Sequence, residues 1–179
     1  MIFTETKLQG VFCIDLEPVE DERGWFARSF CKKEFMEQGL WTDFVQHNLS
    51  FNHKRGTIRG MHYQRSPYEE IKVVQCMKGS LFDVIVDLRQ DAGTYLQWIS
   101  VELNETNGRM LYIPKGFAHG FQTLVDETAV YYLMSDFYEQ AYEAGIRWDD
   151  KQLQIAWPIG EQITISEKDQ NLDTIGEVL

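Results

Sequence analysis

Apolar and polar residues alternate with a period of two through much of this chain, the spacing at which a strand sends successive side chains to opposite faces. Residues 80–89 show it most clearly: Phe82, Val84, Val86 and Leu88 share one face, with Asp83 and Asp87 opposite. Residues 95–104 set Ile99, Val101 and Leu103 against Trp98, Ser100 and Glu102. Residues 128–138 put Val130, Tyr132, Met134 and Tyr138 on one face. In residues 70–78, Lys72 shares a face with Val74 and Cys76, so its ammonium either projects into a pocket or snorkels at an edge. Turn residues separate these short runs, which predicts an all-β sandwich or barrel. Residues 31–38 read as a helix stopped by Gly39, and a short helical turn is expected near 139–143. The tail after Trp157-Pro158 is polar and reads as irregular structure or a short turn.

Composition narrows the class. The 179 residues contain no linker, low-complexity tract or long-period repeat, so one domain spanning 1–179 is expected. An aromatic content of 13% suits strands and argues against disorder. A net charge of −11 makes the chain a poor general binder of nucleic acid or anionic membrane. An anionic ligand would have to be held by local cations, so individual Arg and Lys positions carry weight. Cys13, Cys31 and Cys76 are widely spaced, with no CxxC pair, and read as reduced thiols of a cytosolic protein. The first residues lack the basic and apolar blocks of a signal peptide. No apolar run approaches membrane-spanning length. A cytoplasmic location is expected.

Two segments concentrate side chains suited to chemistry. One runs from Gly108 through Pro114-Lys-Gly116 to His119; the other is Arg59-Gly60-Met61-His62-Tyr63-Gln64. In the first, Pro and Gly bend the chain between two strands and aim His119 into a small barrel. That spacing resembles the second cupin motif, and residues 59–64 stand where the first cupin motif carries His-x-His. The architecture this resemblance implies is a cupin-type double-stranded β-helix, a jelly roll with short peripheral helices. Here the first motif reads His62-x-Gln64. Gln is a weak ligand for a transition metal beside imidazole or carboxylate, and Glu69 and Glu70 fall at the wrong spacing to replace the usual Glu. No catalytic metal and no cofactor are therefore expected. His62 is then free to act as a base, its ordinary pKa of about 6.5 suiting it to that task. It needs a carboxylate to orient its ring. Asp169 is one candidate among 28 acidic residues, and Tyr132 reads equally well as part of a barrel wall.

Seven motifs in order give a more specific likeness. They are Asp21-Glu-Arg23-Gly24-Trp-Phe26, Gln46-His-Asn48, Arg59-Gly60-Met61-His62, Gly79-Ser-Leu-Phe82-Asp83-Val84-Ile-Val-Asp87, Ile113-Pro114-Lys-Gly116-Phe-Ala-His119-Gly120-Phe121, Ile146-Arg147-Trp148-Asp149-Asp150 and Ser166-Glu-Lys-Asp169. Together they resemble the dTDP-4-dehydrorhamnose 3,5-epimerase family over nearly the whole chain. The resemblance implies a nucleoside-diphosphate 4-keto-6-deoxy sugar as substrate, its ketone acidifying the protons on C3 and C5. It implies His62 as the base, Asp169 as its orienting acid, Lys72 as the cation on the enolate oxygen and Tyr132 as the acid on the opposite face. Arg23, Phe26, Arg28, Gln46, Asn48, Arg59, His119 and Tyr138 match positions that bind the sugar nucleotide. It also implies a homodimer, with the N-terminal strand within residues 1–18 joining the partner's sheet, although an ordinary edge strand fits the same residues. An epimerase of one centre, a keto-isomerase and a metal-dependent cupin enzyme remain alternatives. Three positions depart from the family pattern: Arg28 stands where a Glu is expected, Glu69 and Glu70 replace a region with a Gln close to Lys72, and Leu133 follows Tyr132 where Lys is frequent. These departures leave the nucleotide and the number of inverted centres open.

Overall fold

The computed structural model describes residues 1–178. Its strands are β1 (Ile2–Glu5), β2 (Phe12–Asp15), β3 (Val19–Asp21), β4 (Gly24–Phe26), β5 (Gln46–Asn52), β6 (Thr57–Gln64) and β7 (Lys72–Lys78). They continue as β8 (Ser80–Asp87), β9 (Trp98–Asn104), β10 (Met110–Ile113), β11 (Phe117–Thr123), β12 (Thr128–Met134), β13 (Glu143–Gly145) and β14 (Thr164–Ile165). Three short helices, α1 (Lys32–Glu37), α2 (Glu167–Gln170) and α3 (Ile175–Val178), lie at the periphery. The fold is all-β, as the alternation predicts.

Two sheets face each other. The first has the order β1-β2-β10-β7-β12-β5 and the second β13-β6-β11-β8-β9, with β14 added in parallel to β6. From β5 to β13 the chain crosses repeatedly between the sheets, which is the jelly-roll path. Neighbours within a sheet are therefore distant in sequence, and residues scattered through the chain converge on one interior. That interior is apolar at one end, where Val74, Cys76, Leu81, Ile85, Leu103, Leu111, Phe121 and Val130 pack together.

Both outer faces are also covered in part. Phe35 of α1 packs on Ile71, Val73, Tyr112 and Leu133 of the first sheet. Leu153 and Ile175 cover Val84, Val86 and Ala118 of the second. This second cover inverts the simplest reading of β8. Leu81 and Ile85, which share the parity of Asp83 and Asp87, lie in the core between the sheets, so the acidic face points inward. Both aspartates are fully buried, and each has partners that make burial tolerable: Asp83 faces His119, and Asp87 is held by Arg89 and Thr94.

The tail differs from the irregular segment expected. Thr164–Ile165 pairs with Thr57 and Ile58 of β6, and α2 follows at once, its Ser166 side chain accepting from the Asp169 N–H. Serine is a favoured N-cap because its oxygen satisfies an otherwise free helix donor. At the other end of the chain, β2 pairs with β10 of the same chain, placing the β1–β2 hairpin at a sheet edge. The β3–β4 hairpin stands apart, with all six residues exposed.

Candidate active site

Strand pairing assembles the site. His62 on β6 lies opposite His119 on β11, so two imidazoles stand side by side on the second sheet. Across the interior, Lys72 on β7 pairs with Met134 on β12, and Tyr132 pairs with Asn48 on β5. Two adjoining cavities of about 240 and 380 Å³ open between the sheets. Asn48, His62, Lys72 and Met134 line both; Arg59, His119 and Tyr132 line the first; Gln46, Glu70, Tyr138 and Glu143 line the second.

The tail fixes His62. Its Nε2 lies 2.8 Å from Asp169 Oδ1, while the Gly60 N–H donates to Asp169 Oδ2 at 3.2 Å. Burial pushes the Asp169 carboxyl up, but the His62 bond and charge, the Gly60 N–H and Ser166 outweigh it and hold the carboxyl below its ordinary value. The carboxylate is thus an acceptor, so Nε2 carries the proton and Nδ1 keeps the ring's lone pair. His119 has a parallel arrangement, its Nε2 lying 2.6 Å from Asp83 Oδ1. Burial pushes the Asp83 carboxyl up against the opposing pull of His119 and Lys72.

Tyr132 is the opposite kind of group. Burial raises its phenol well above the ordinary value, with the Ser50 hydrogen bond acting against it, so the oxygen stays protonated and can donate. Its ring centroid lies 6.4 Å from that of His119. Lys72 Nζ donates to the His62 carbonyl at 3.3 Å and lies 3.0 Å from Glu70 Oε1. Arg59 is anchored through Nε to Asn52 Oδ1 at 2.7 Å, which leaves its terminal nitrogens available at the cavity.

The sequence profile of the dTDP-4-dehydrorhamnose 3,5-epimerase family matches residues 5–177. The chain belongs to that family. The epimerase from Methanothermobacter thermautotrophicus is 42% identical over 177 residues, covering 98% of this chain and 95% of its own. Among solved structures, the 3,5-epimerase from Bacillus anthracis with TDP and PPi bound superposes with a TM-score of 0.94 at 40% identity, covering 97% of this chain and 99% of its own. A dTDP-6-deoxy-D-glucose-3,5-epimerase from Legionella pneumophila in complex with dTDP-4-keto-L-rhamnose gives 0.94 at 37% identity, covering 99% of this chain and 94% of its own.

Of the positions that the likeness to this epimerase family picks out, His62, Lys72, Tyr132, Arg59, His119, Gln46, Asn48 and Tyr138 line the two cavities, and Asp169 stands behind His62. Arg23, Phe26 and Arg28 are not brought there. Arg23 is tied to Asp21 on the exposed β3–β4 hairpin, Phe26 is 77% exposed, and Arg28 pairs with Glu34 of α1. Gln64, at the usual metal-ligand position of the cupin motif, is a brace instead. Its amide donates to the Tyr68 and Phe137 carbonyls and accepts from the Glu139 N–H. Among the described residues no cluster of three His, Cys, Asp or Glu is arranged to hold a metal.

Sequence reasoning missed Glu143 and Lys168. Lys168 of α2 pairs with Glu143, and Tyr138 Oη donates to the same carboxylate at 2.8 Å. Burial pushes the Glu143 carboxyl up, but these two bonds outweigh it and hold it low. The only signal in the sequence was the adjacency of Lys168 to Asp169. Asp83 was visible only as part of a polar face and of the Gly79–Asp87 motif, with no role attached.

Proposed function

We propose that this protein is a cofactor-independent 3,5-epimerase of a dTDP-linked 4-keto-6-deoxy sugar. One observation carries the reading: the His62–Asp169 pair and the Tyr132 phenol project from opposite sheets into one cavity beside the Lys72 ammonium. A hexose between the sheets then meets a base on one face and an acid on the other. His62 removes a proton from a carbon beside the ketone, and Asp169 stabilises the imidazolium formed. Lys72 stabilises the negative charge that moves onto the ketone oxygen, in a site where burial strengthens that attraction. Tyr132 returns a proton from the far side, which inverts the centre. Acid–base groups of this kind contribute about two to four orders of magnitude each. Arg59 is the cation free for the diphosphate, and guanidinium binds phosphate through paired hydrogen bonds. The relative solved with dTDP-4-keto-L-rhamnose supports the choice of ligand.

The working form we infer is a cytoplasmic homodimer. An apolar strip on the outer face of the first sheet is uncovered in one chain, with Leu49 70%, Phe51 45% and Met77 55% exposed. The β3–β4 hairpin is equally bare, with Trp25 60% exposed. We infer that a second copy covers this face and that the exposed hairpin carries Arg23 and Phe26 to its cavity.

The test is solvent exchange. In D₂O the protein should place deuterium at C3 and C5 of a dTDP-4-keto-6-deoxy sugar and convert it to the inverted product. His62→Ala should abolish exchange with the fold intact by circular dichroism. Exchange that persists in that variant would rule out the assigned base.

A further inference from the structure

The chemistry above leaves Glu70 without a task, yet its side chain is only 4% exposed and lines the cavity beside His62 and Lys72. It sits two residues before Lys72, on the same inward face. Oε1 lies 3.0 Å from Lys72 Nζ. Oε2 is buried with no hydrogen-bond partner, one of two such side-chain atoms among the described residues. The other, Asp83 Oδ2, belongs to a carboxylate already bound to His119. A buried carboxylate oxygen without a donor is costly, and such atoms in a site call for a ligand or another explanation. The nearby Gln64 amide cannot serve, because it already donates to the Tyr68 and Phe137 carbonyls.

We propose that Glu70 is a specificity-determining residue that accepts a hydrogen bond from the sugar hydroxyl next to the ketone. The inference rests on the epimerase reading and deepens it. With the ketone oxygen on Lys72, a hydroxyl on the adjacent carbon lies within one hydrogen-bond length of that oxygen. A carboxylate itself one hydrogen bond from the ammonium has the matching reach. Oε2 is closed off in this structure, so a turn of the carboxylate about its last bond brings one oxygen to the hydroxyl while the other stays on Lys72. The Lys72–Glu70 pair thereby reads an α-hydroxyketone. In a 4-keto-6-deoxyhexose only C3, of the two carbons flanking the ketone, carries a hydroxyl. The pair therefore also sets the ring's direction, with C3 toward Glu70 and C5 away.

The test uses deuterium incorporation at C5, a position acidified by the ketone whether or not C3 bears a hydroxyl. Wild type, Glu70→Gln and Glu70→Ala are compared on a dTDP-4-keto-6-deoxyhexose and its 3-deoxy counterpart. Wild type should favour the hydroxylated sugar by about tenfold or more in kcat/KM, the discrimination expected of a hydrogen bond to a charged group. Glu70→Ala should bring that ratio close to one, and Glu70→Gln, which keeps an acceptor oxygen but loses the charge, should lower it clearly. The affinity for dTDP alone, which lacks the sugar, should stay within about twofold and so reports an intact fold. If Glu70→Ala fails to fold, the isosteric Glu70→Gln decides. An unchanged ratio with both sugars slowed equally would overturn the proposal and reduce Glu70 to a support for Lys72. No exchange with either sugar in wild type would defeat the epimerase reading itself, and this inference with it.

Discussion

Asp169 acts on His62 through one short bond, and that bond makes two separable predictions. With its carboxyl held below the ordinary value by His62 and Gly60, the folded protein binds this proton less tightly than the unfolded chain. The resulting stability is complete above about pH 4 and is lost as pH falls through the lowered value. Asp169→Asn should therefore lower the thermal midpoint at pH 7, and the gap from wild type should close in acid. A gap that stays constant with pH would contradict the assignment. The same variant should lose about a hundredfold or more in activity, since an amide no longer fixes Nε2 as the donor. Tyr132 can be tested independently. Its raised phenol is a proton donor and not a base, so Tyr132→Phe should slow net inversion more than proton loss. Deuterium wash-in and product formation, measured on one sample, give the two rates. Equal loss in both would remove Tyr132 from the far-face role.

At the scale of elements, the site depends on how closely β6 and β11 approach. A Cβ on Gly60 would lie 2.6 Å from Gly120 Cα, and one on Gly120 would lie 2.8 Å from the Arg59 carbonyl. Gly60 also sits at φ +121°, where a side chain is strained. The pairing slips between His119 and Phe121, a bulge that leaves both histidines pointing into the cavity. Gly120→Ala should cost about 1–3 kcal/mol of stability by overpacking, and should lower exchange activity because it displaces the strand that carries His62. Chemical denaturation and D₂O exchange read the two effects. These strands also mark what the sequence made legible. Period-two patterning put Lys72 on one face with Val74, and Tyr132 on one face with Met134, without saying which face was inside, and the Arg59-Gly-Met-His62 motif singled out His62. Alternation could not say which face of β8 was inside, because the cover on its other face comes from residues near 153 and 175, far away in sequence. The tail looked irregular for the same reason. Its strand is two residues long and is specified by the β6 edge, and its helix is fixed by Ser166 and by the contact of Asp169 with His62.

At the scale of the whole molecule, the cavity and the β3–β4 hairpin are linked by charge. The chain carries a net charge of −11, and of the two cations lining the cavities, Arg59 and Lys72, Lys72 is matched by Glu70. Arg59 alone is a modest holder for a diphosphate, so the assignment of Arg23 and Phe26 to the nucleotide gains weight if a second copy delivers them. Such an arrangement is an isologous dimer, in which each hairpin serves the other chain's site. Mixing two inactive or weakened variants distinguishes this from service within one chain. His62→Ala lacks the base, and Arg23→Ala lacks the hairpin cation. In a mixed dimer acting in trans, one site combines the intact His62 of one chain with the intact Arg23 of the other. Random reassociation of equal amounts should then restore about a quarter of wild-type sites. If the hairpin serves its own chain, mixing restores none, because each chain still carries its own defect. Recovery of exchange activity after joint unfolding and refolding of the two variants, compared with each refolded alone, reads the difference directly.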